Sequence, residues 1–405
     1  MAHLDHHFFN ENRQKILKAL KGGLLVLPAY SQMQRGNDAA FKFEQEANFW
    51  YATGIDHPDW WIIIDGIRGR SWLVSPDIDE VHALFDGSLS RQDAATISGI
   101  NDVLSRQEAD DLLKQSARTH KFVYTLGRPA RHDNFDFTMN PAAREMNERL
   151  SRLFEKVQDF RSDLEKIRAI KSDDELASMQ AAIDLTSSAF ETVKSSLLSY
   201  KYEYEIEAQF SYEFRKVGAA GHAYDPIIAS AGNACTLHYS DNQSALKKGT
   251  LVLMDIGARS EGYAADITRT YSYGKATKRQ RDVHASVRSA QQEIIELLSP
   301  GLSIHEYHDQ VDMIMKNALM ELGLIESLSD EEAYRQYFPH AISHGLGIDV
   351  HDALGAPTQF QSGMVLTVEP GIYIPEEGIG VRIEDDILIT DSGYRNMSVK
   401  LSTEL

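Results

Sequence analysis

Hydrophobic and polar positions recur with two periods along the chain. In KSDDELASMQAAIDLTSSAFETVKSSL (171–197) apolar residues return every three to four positions, the spacing of an amphipathic helix. Ser172 as N-cap with Glu175 three residues later forms a capping-box pattern at its start. Similar spacing predicts helices at 10–21, 90–96, 105–117, 141–156, 202–217, 277–298 and 303–322. Short runs rich in aromatic and β-branched residues, bounded by turn formers, predict strands. They are GLLVLPA (23–29), NFWYATGI (48–55), WWIIIDG (60–66) and SWLVSP (71–76), then 225–231, 250–258, 263–273, 364–374 and 379–389. The first part reads as a modest α/β domain. In the second, helices interleave with hairpins, which predicts α+β architecture with a largely antiparallel sheet. The boundary falls just before the long helix, giving domains 1–165 and 166–405. No internal repeat or low-complexity tract interrupts either.

A length of 405 residues exceeds one ordinary core, in keeping with two domains. Hydrophobic residues at 42% and charged residues at 25% describe a globular chain. A formal charge of −19 repels phosphate backbones and anionic lipid, so neither nucleic acid nor membrane is an expected partner. The lone cysteine, Cys235, cannot form an internal disulfide and reads as a packing residue; with no secretory pattern at the N-terminus, the expected setting is cytoplasmic. His3, His6 and His7 are a loose terminal cluster from which no useful metal site is expected.

Two acids change the picture. In LVLMDIGARSEGYAADITRTY (251–271), Asp255 and Asp266 lie within apolar sequence. A hairpin symmetric about RSEG (259–262) places Ala258 opposite Tyr263 and Asp255 opposite Asp266, with Cβ atoms about 4.5–5.5 Å apart. Two bare carboxylates there repel unless they share a proton or a cation. The same arithmetic applies to MVLTVEPGIYIPEEGIGVRIEDDILI (364–389), where a turn at PEEG (375–378) places Glu369 opposite Glu384. Four separately solvated acids on a sheet face would need no ion; two embedded pairs favour a metal site. PHAISHGLGIDVHD (339–352) offers His340, His344 and His351 as nitrogen ligands. An oxygen-rich set with one imidazole suits Mn2+, with Co2+ or Zn2+ as alternatives. Four carboxylates exceed one ion's need and fit a bridged pair at about 3.5–4 Å.

Asp255, Asp266, His344, Glu369 and Glu384, in that order, resemble the five metal ligands of the pita-bread metallopeptidases, which include methionine aminopeptidases, prolidases and aminopeptidase P. The resemblance spans essentially the whole second domain and includes "MDIGARSEGYAADITRT", "SHGLGIDVHD", "TVEPGIY" and "GVRIEDD". "YDPIIASAGNACTLHY" (224–239) is similar to the family segment bearing a substrate-facing histidine, here His238. The resemblance implies that Asp255 binds one metal, that His344 and Glu369 bind the other, and that Asp266 and Glu384 bridge. It implies a water between the metals as nucleophile, Glu369 as its proton acceptor, and His238 and His351 as stabilisers of the reacting carbonyl. His340 would line a proline pocket, while Tyr373 and Arg382 would stand near the metals and substrate.

The first domain selects within the family. "RGNDAAFKFEQEANFWYATGIDHPDWWIII" (35–64) resembles a segment of the aminopeptidase P group, in which a Phe-Arg-Gln run leads to a Tyr-Leu-Thr-Gly strand. Here these are Phe43-Glu44-Gln45 and Tyr51-Ala52-Thr53-Gly54, so Glu44 leaves open whatever the family arginine contacts. The resemblance implies an N-terminal α/β domain of the creatinase/prolidase type that restricts long substrates and packs between subunits of a homo-dimer or homo-tetramer. The implied activity is removal of an N-terminal residue that precedes proline. Prolidase shares all five ligands; creatinase and catalytically inactive pita-bread binding domains lack the full set.

Overall fold

A computed structural model describes residues 4–129 and 138–405. The chain forms two compact units, one running to Ile167 and one from Arg168 to Leu405.

The first unit contains α1 (His6–Leu20), β1 (Leu24–Pro28), α2 (Ala47–Thr53), β2 (Trp61–Asp65), β3 (Arg70–Val74), α3 (Glu80–Asp86), α4 (Arg91–Ser98), β4 (Val103–Leu104), α5 (Arg106–Ser116), β5 (Phe122–Thr125), α6 (Ala142–Leu150) and β6 (Lys156–Asp159). α7 (Arg161–Ala169) follows across the boundary. The six strands form one sheet in the order β4-β3-β2-β1-β5-β6, antiparallel at β1–β2 and β2–β3 and parallel elsewhere. Residues 48–55 do not form a strand; they lie in α2 and its cap. The Glu46 side chain accepts from Phe49 N–H (2.7 Å) at the start, and Gly54 at φ 72° ends the helix with its N–H on Trp50. Aromatic residues fit either state, and these caps decide. The helix expected over 141–156 stops at Leu150, and the following residues enter the sheet as β6. Phe49, Tyr51 and Trp60 are core, while Trp61 lies beneath the Arg106 guanidinium at 3.5 Å.

The second unit contains α8 (Asp173–Ser195), α9 (Glu203–Lys216), β7 (Gly221–His222), β8 (Ile227–Ser230), β9 (Thr250–Ile256), β10 (Ala258–Ser260), β11 (Tyr263–Ala264), β12 (Ile267–Tyr273), α10 (Lys278–Leu297), α11 (Ile304–Glu321), α12 (Glu331–Tyr337), β13 (Val365–Val368), β14 (Gly371–Ile374), β15 (Ile379–Arg382), β16 (Asp385–Thr390) and β17 (Gly393–Asn396). Every strand pairing described there is antiparallel. Ser172 and Glu175 cap α8 reciprocally, as the spacing requires. Val283, Val287, Ile294, Val311, Met315 and Leu319 of α10 and α11 pack on Leu366, Val368, Ile372, Val381 and Ile387. Each such fully buried side chain contributes about 1.5–3 kcal/mol relative to exposure. This helix-backed layer is the rigid floor of the site. Among the described residues, no helix is long and apolar enough to cross a membrane.

Candidate metal centre

Two strand breaks set the first hairpin. Its turn is Glu261–Gly262, with φ of 50° and 82°, the left-handed pair that a two-residue hairpin requires. Ser260 therefore pairs with Tyr263, and Asp255 pairs with Thr268 rather than Asp266. The register is displaced by two residues from one symmetric about RSEG. A two-residue displacement preserves parity, so both acids keep the same face. The ladder is interrupted at Gly257, where a Cβ would lie 1.8 Å from the Ala265 carbonyl oxygen; only glycine admits this approach. Asp266 occupies the matching gap between β11 and β12.

The second hairpin has the register its sequence implies. Ile374 pairs with Ile379 and Gly371 with Arg382, while Val368 pairs with Asp385 in the adjoining sheet. Glu369 and Glu384 therefore face each other at the corner where both strands pass between sheets. Residues 342–346 run antiparallel to β13, with Glu369 N–H on Ile342, Thr367 N–H on His344 and Leu346 N–H on Val365. Glu384 N–H bonds Thr268 across to β12. His344, Glu369, Glu384, Asp266 and Asp255 thus come from five successive neighbouring segments of backbone.

Their side chains converge. Ligand atoms of Asp266, His344 and Glu384 all lie within 4.8 Å of one another. His344 Nε2 is 3.4 Å from Asp266 and 3.5 Å from Glu369. Its Nδ1 lies 3.0 Å from the Gly345 carbonyl, which fixes that proton and turns Nε2 toward the acids. The Tyr224 hydroxyl contacts both Asp255 and Asp266, at 2.6 Å to the latter.

Arg382 organises the back of the cluster. Its guanidinium donates to Asp255, Thr268 and the Tyr373 hydroxyl. Thr268 donates onward to Glu384 (2.7 Å). The Tyr373 hydroxyl lies 2.8 Å from His340 Nε2, and His340 Nδ1 lies 2.8 Å from the Ala341 carbonyl. Tyr373 and Arg382 are thus buried supports, not open surface groups. The His351 ring stacks on His344 at 4.1 Å. His238 is exposed on the segment after β8. Cys235 is half-buried against the Ile379 carbonyl. Asp5, His6 and His7 form a separate exposed group; His3 lies outside the described residues.

The electrostatics are those of acids short of cations. Burial, then Asp266, Glu369 and Asp255, push Glu384 far above the carboxylate range. Burial drives Glu369 up to about 7 and raises Asp266 as well. Burial opposes a charged His344, yet Asp266 and Glu369 lift it to about 9. Protons stand where divalent ions would remove the repulsion, and the oxygen-rich donor set with one free imidazole nitrogen fits such ions.

The family model described as "Metallopeptidase family M24" matches residues 177–391. The chain belongs to metallopeptidase family M24. As a member of M24 it is a hydrolase of a family that uses divalent metals, and its catalytic unit has the pita-bread fold. A second model, "Aminopeptidase P, N-terminal domain", matches residues 9–124 and places the chain in the aminopeptidase P group. It is 32% identical to the Xaa-Pro aminopeptidase of Haemophilus influenzae over 426 residues, covering 100% of this chain and 97% of that protein. It is 33% identical to human Xaa-Pro aminopeptidase 3, covering 91% and 76%. The Escherichia coli aminopeptidase P structure superposes with a TM-score of 0.88 at 29% identity, covering 100% and 97%.

Sequence reasoning did not single out Tyr224 or Thr268. Tyr224 precedes β8 outside any periodic pattern, and Thr268 carries no chemistry until its partners are known.

Proposed function

We propose that this chain removes the N-terminal residue from peptides whose second residue is proline. The observation that carries the reading is the convergence of Asp255, Asp266, His344, Glu369 and Glu384 from neighbouring strands, in a chain similar over its whole length to proteins named Xaa-Pro aminopeptidase. Those five residues would hold two divalent ions, with Mn2+ the first candidate and Co2+ or Zn2+ the alternatives. When bound, such ions supply Lewis acidity toward the scissile carbonyl and lower the pKa of a water.

The protein's own groups do the rest. Glu369 accepts the proton of the attacking water and returns it to the leaving nitrogen. His351 and His238 donate to the carbonyl oxygen as negative charge develops on it. The nitrogen released is proline's, which as a tertiary amide has no N–H to recognise. Recognition must then come from shape, and His340 supplies it. Burial holds His340 neutral, at about 4, and its ring meets Phe338 and Tyr373 edge-on to form an aromatic wall. Tyr373 and Arg382 brace that wall and Asp255 together.

The reading extends to residues 1–165 as the domain governing oligomerisation and substrate access, to a homo-dimer or homo-tetramer, and to a cytoplasmic setting supported by the single cysteine. A peptide panel with added Mn2+ tests it. Xaa-Pro-Xaa peptides should be cleaved and alanine-second peptides spared. Cleavage of Xaa-Pro dipeptides alone would instead make the chain a prolidase. Turnover of no proline peptide would overturn the proposal.

A further inference from the structure

We propose that Glu203 is a positioning residue for the segment that carries His238. The inference rests on the role given to His238 above and adds a residue which that role does not use.

After β8 the chain leaves its sheet and next enters a strand at Thr250. His238 is exposed in between, and among the described residues no hydrogen bond holds its ring. The ring therefore goes where the backbone goes. Glu203, in the first turn of α9, is fully buried and gathers that backbone. Its Oε1 accepts from Ser230 N–H (2.8 Å), the Ser230 hydroxyl (2.7 Å) and the Asn233 amide (3.0 Å). Its Oε2 accepts from the Tyr239 hydroxyl (2.9 Å) and Ser244 N–H (2.8 Å). The donors bracket His238 on both sides, and Tyr239 is its immediate neighbour. Only a carboxylate offers acceptors alone on both arms; an amide would turn an NH2 toward one set of donors.

Two further features show a segment held in place. Ala231 has a φ of 53°, a left-handed conformation that a non-glycine residue keeps only when its surroundings impose it. The far side of the segment is seated on β15. A Cβ at Gly380 would lie 2.5 Å from the Ala234 carbonyl oxygen, so glycine is what permits the contact. Glu203 thus clamps one side while the strand bearing Arg382 supports the other.

The test compares Glu203→Gln, His238→Ala and the double variant with the parent protein. In metal-free protein, hydrogen–deuterium exchange over 231–243 should accelerate in Glu203→Gln, with α10 and α11 unchanged. With Mn2+ loaded, kcat should fall by about 10–100-fold, the scale of a displaced catalytic group, at unchanged KM and Mn2+ content. On the His238→Ala background the same substitution should cost less than about twofold, because the ring it positions is gone. Losses that simply multiply, or parental exchange over 231–243, would overturn the proposal. Full kcat in His238→Ala would instead overturn the role of His238, and the positioning role with it. Should Glu203→Gln not fold, Tyr239→Phe removes one donor and should show the same effects at smaller size; parental exchange and kcat there would count against the clamp.

Discussion

Glu384 and Asp385 are adjacent acids, both buried, with opposite surroundings. Asp385 faces Arg269 at 2.7 Å and also accepts from Ser398, Gln291 and Asn396. Burial works against its charge, but Arg269, Ser398 and Asn396 hold it below the ordinary carboxylate range. Glu384, one residue earlier, accepts from Thr268 but shares its space with Asp266, Glu369 and Asp255 and is pushed far above that range. At Asp385 the matched charge is architecture; at Glu384 the crowding of acids fits a cation site. Glu384 stands in the corner before β16 and Asp385 begins that strand, and adjacent residues of β12 divide between them, Thr268 bonding Glu384 and Arg269 bonding Asp385.

The largest effect that could break this contrast is Glu384→Ala or Asp266→Ala. Either should abolish metal retention and lower kcat/KM by about 10³-fold or more, the several kcal/mol that metal ions provide. Thermal unfolding of metal-free Glu384→Ala should be no easier than the parent's, because an acid crowded by Asp266, Glu369 and Asp255 is removed. Asp385→Ala should do the reverse. It leaves Arg269 buried without its carboxylate and should cost about 3–5 kcal/mol in urea unfolding, with metal content retained. His351→Ala should keep both metals and lower kcat by about 10²–10³; full kcat would remove His351 from the chemistry.

The smallest effect is protonic. Glu369 (about 7) and His344 (about 9) hold protons in the metal-free protein near pH 6.5 and must release them to bind a cation. Titrating Mn2+ into weakly buffered metal-free protein at that pH should release protons. Release should shrink, and affinity rise, as pH climbs through 7 toward 9. Proton uptake, or no pH dependence, would contradict the unmatched-charge account.

What could be read from the chain follows the same physics. Alternation assigns faces, so the two acids of each hairpin share a face before any partner is known. It does not assign partners. The Pro375–Gly378 turn gave Glu369 and Glu384 their true register, whereas Glu261 adopts a left-handed conformation that a non-glycine residue does not advertise, moving the first hairpin by two. Helix α2 was hidden because Phe, Trp and Tyr suit strands and helices alike until Glu46 and Gly54 cap the segment. Tyr224, Thr268 and Glu203 owe their places to residues distant in sequence, which a local pattern cannot show.

Metal analysis joined to a peptidase assay tests the central claim most directly. Protein stripped by exhaustive chelation should be inactive on Xaa-Pro-Xaa peptides, and should regain activity as it takes up two Mn2+ ions per chain. Full activity in the stripped protein would contradict the account.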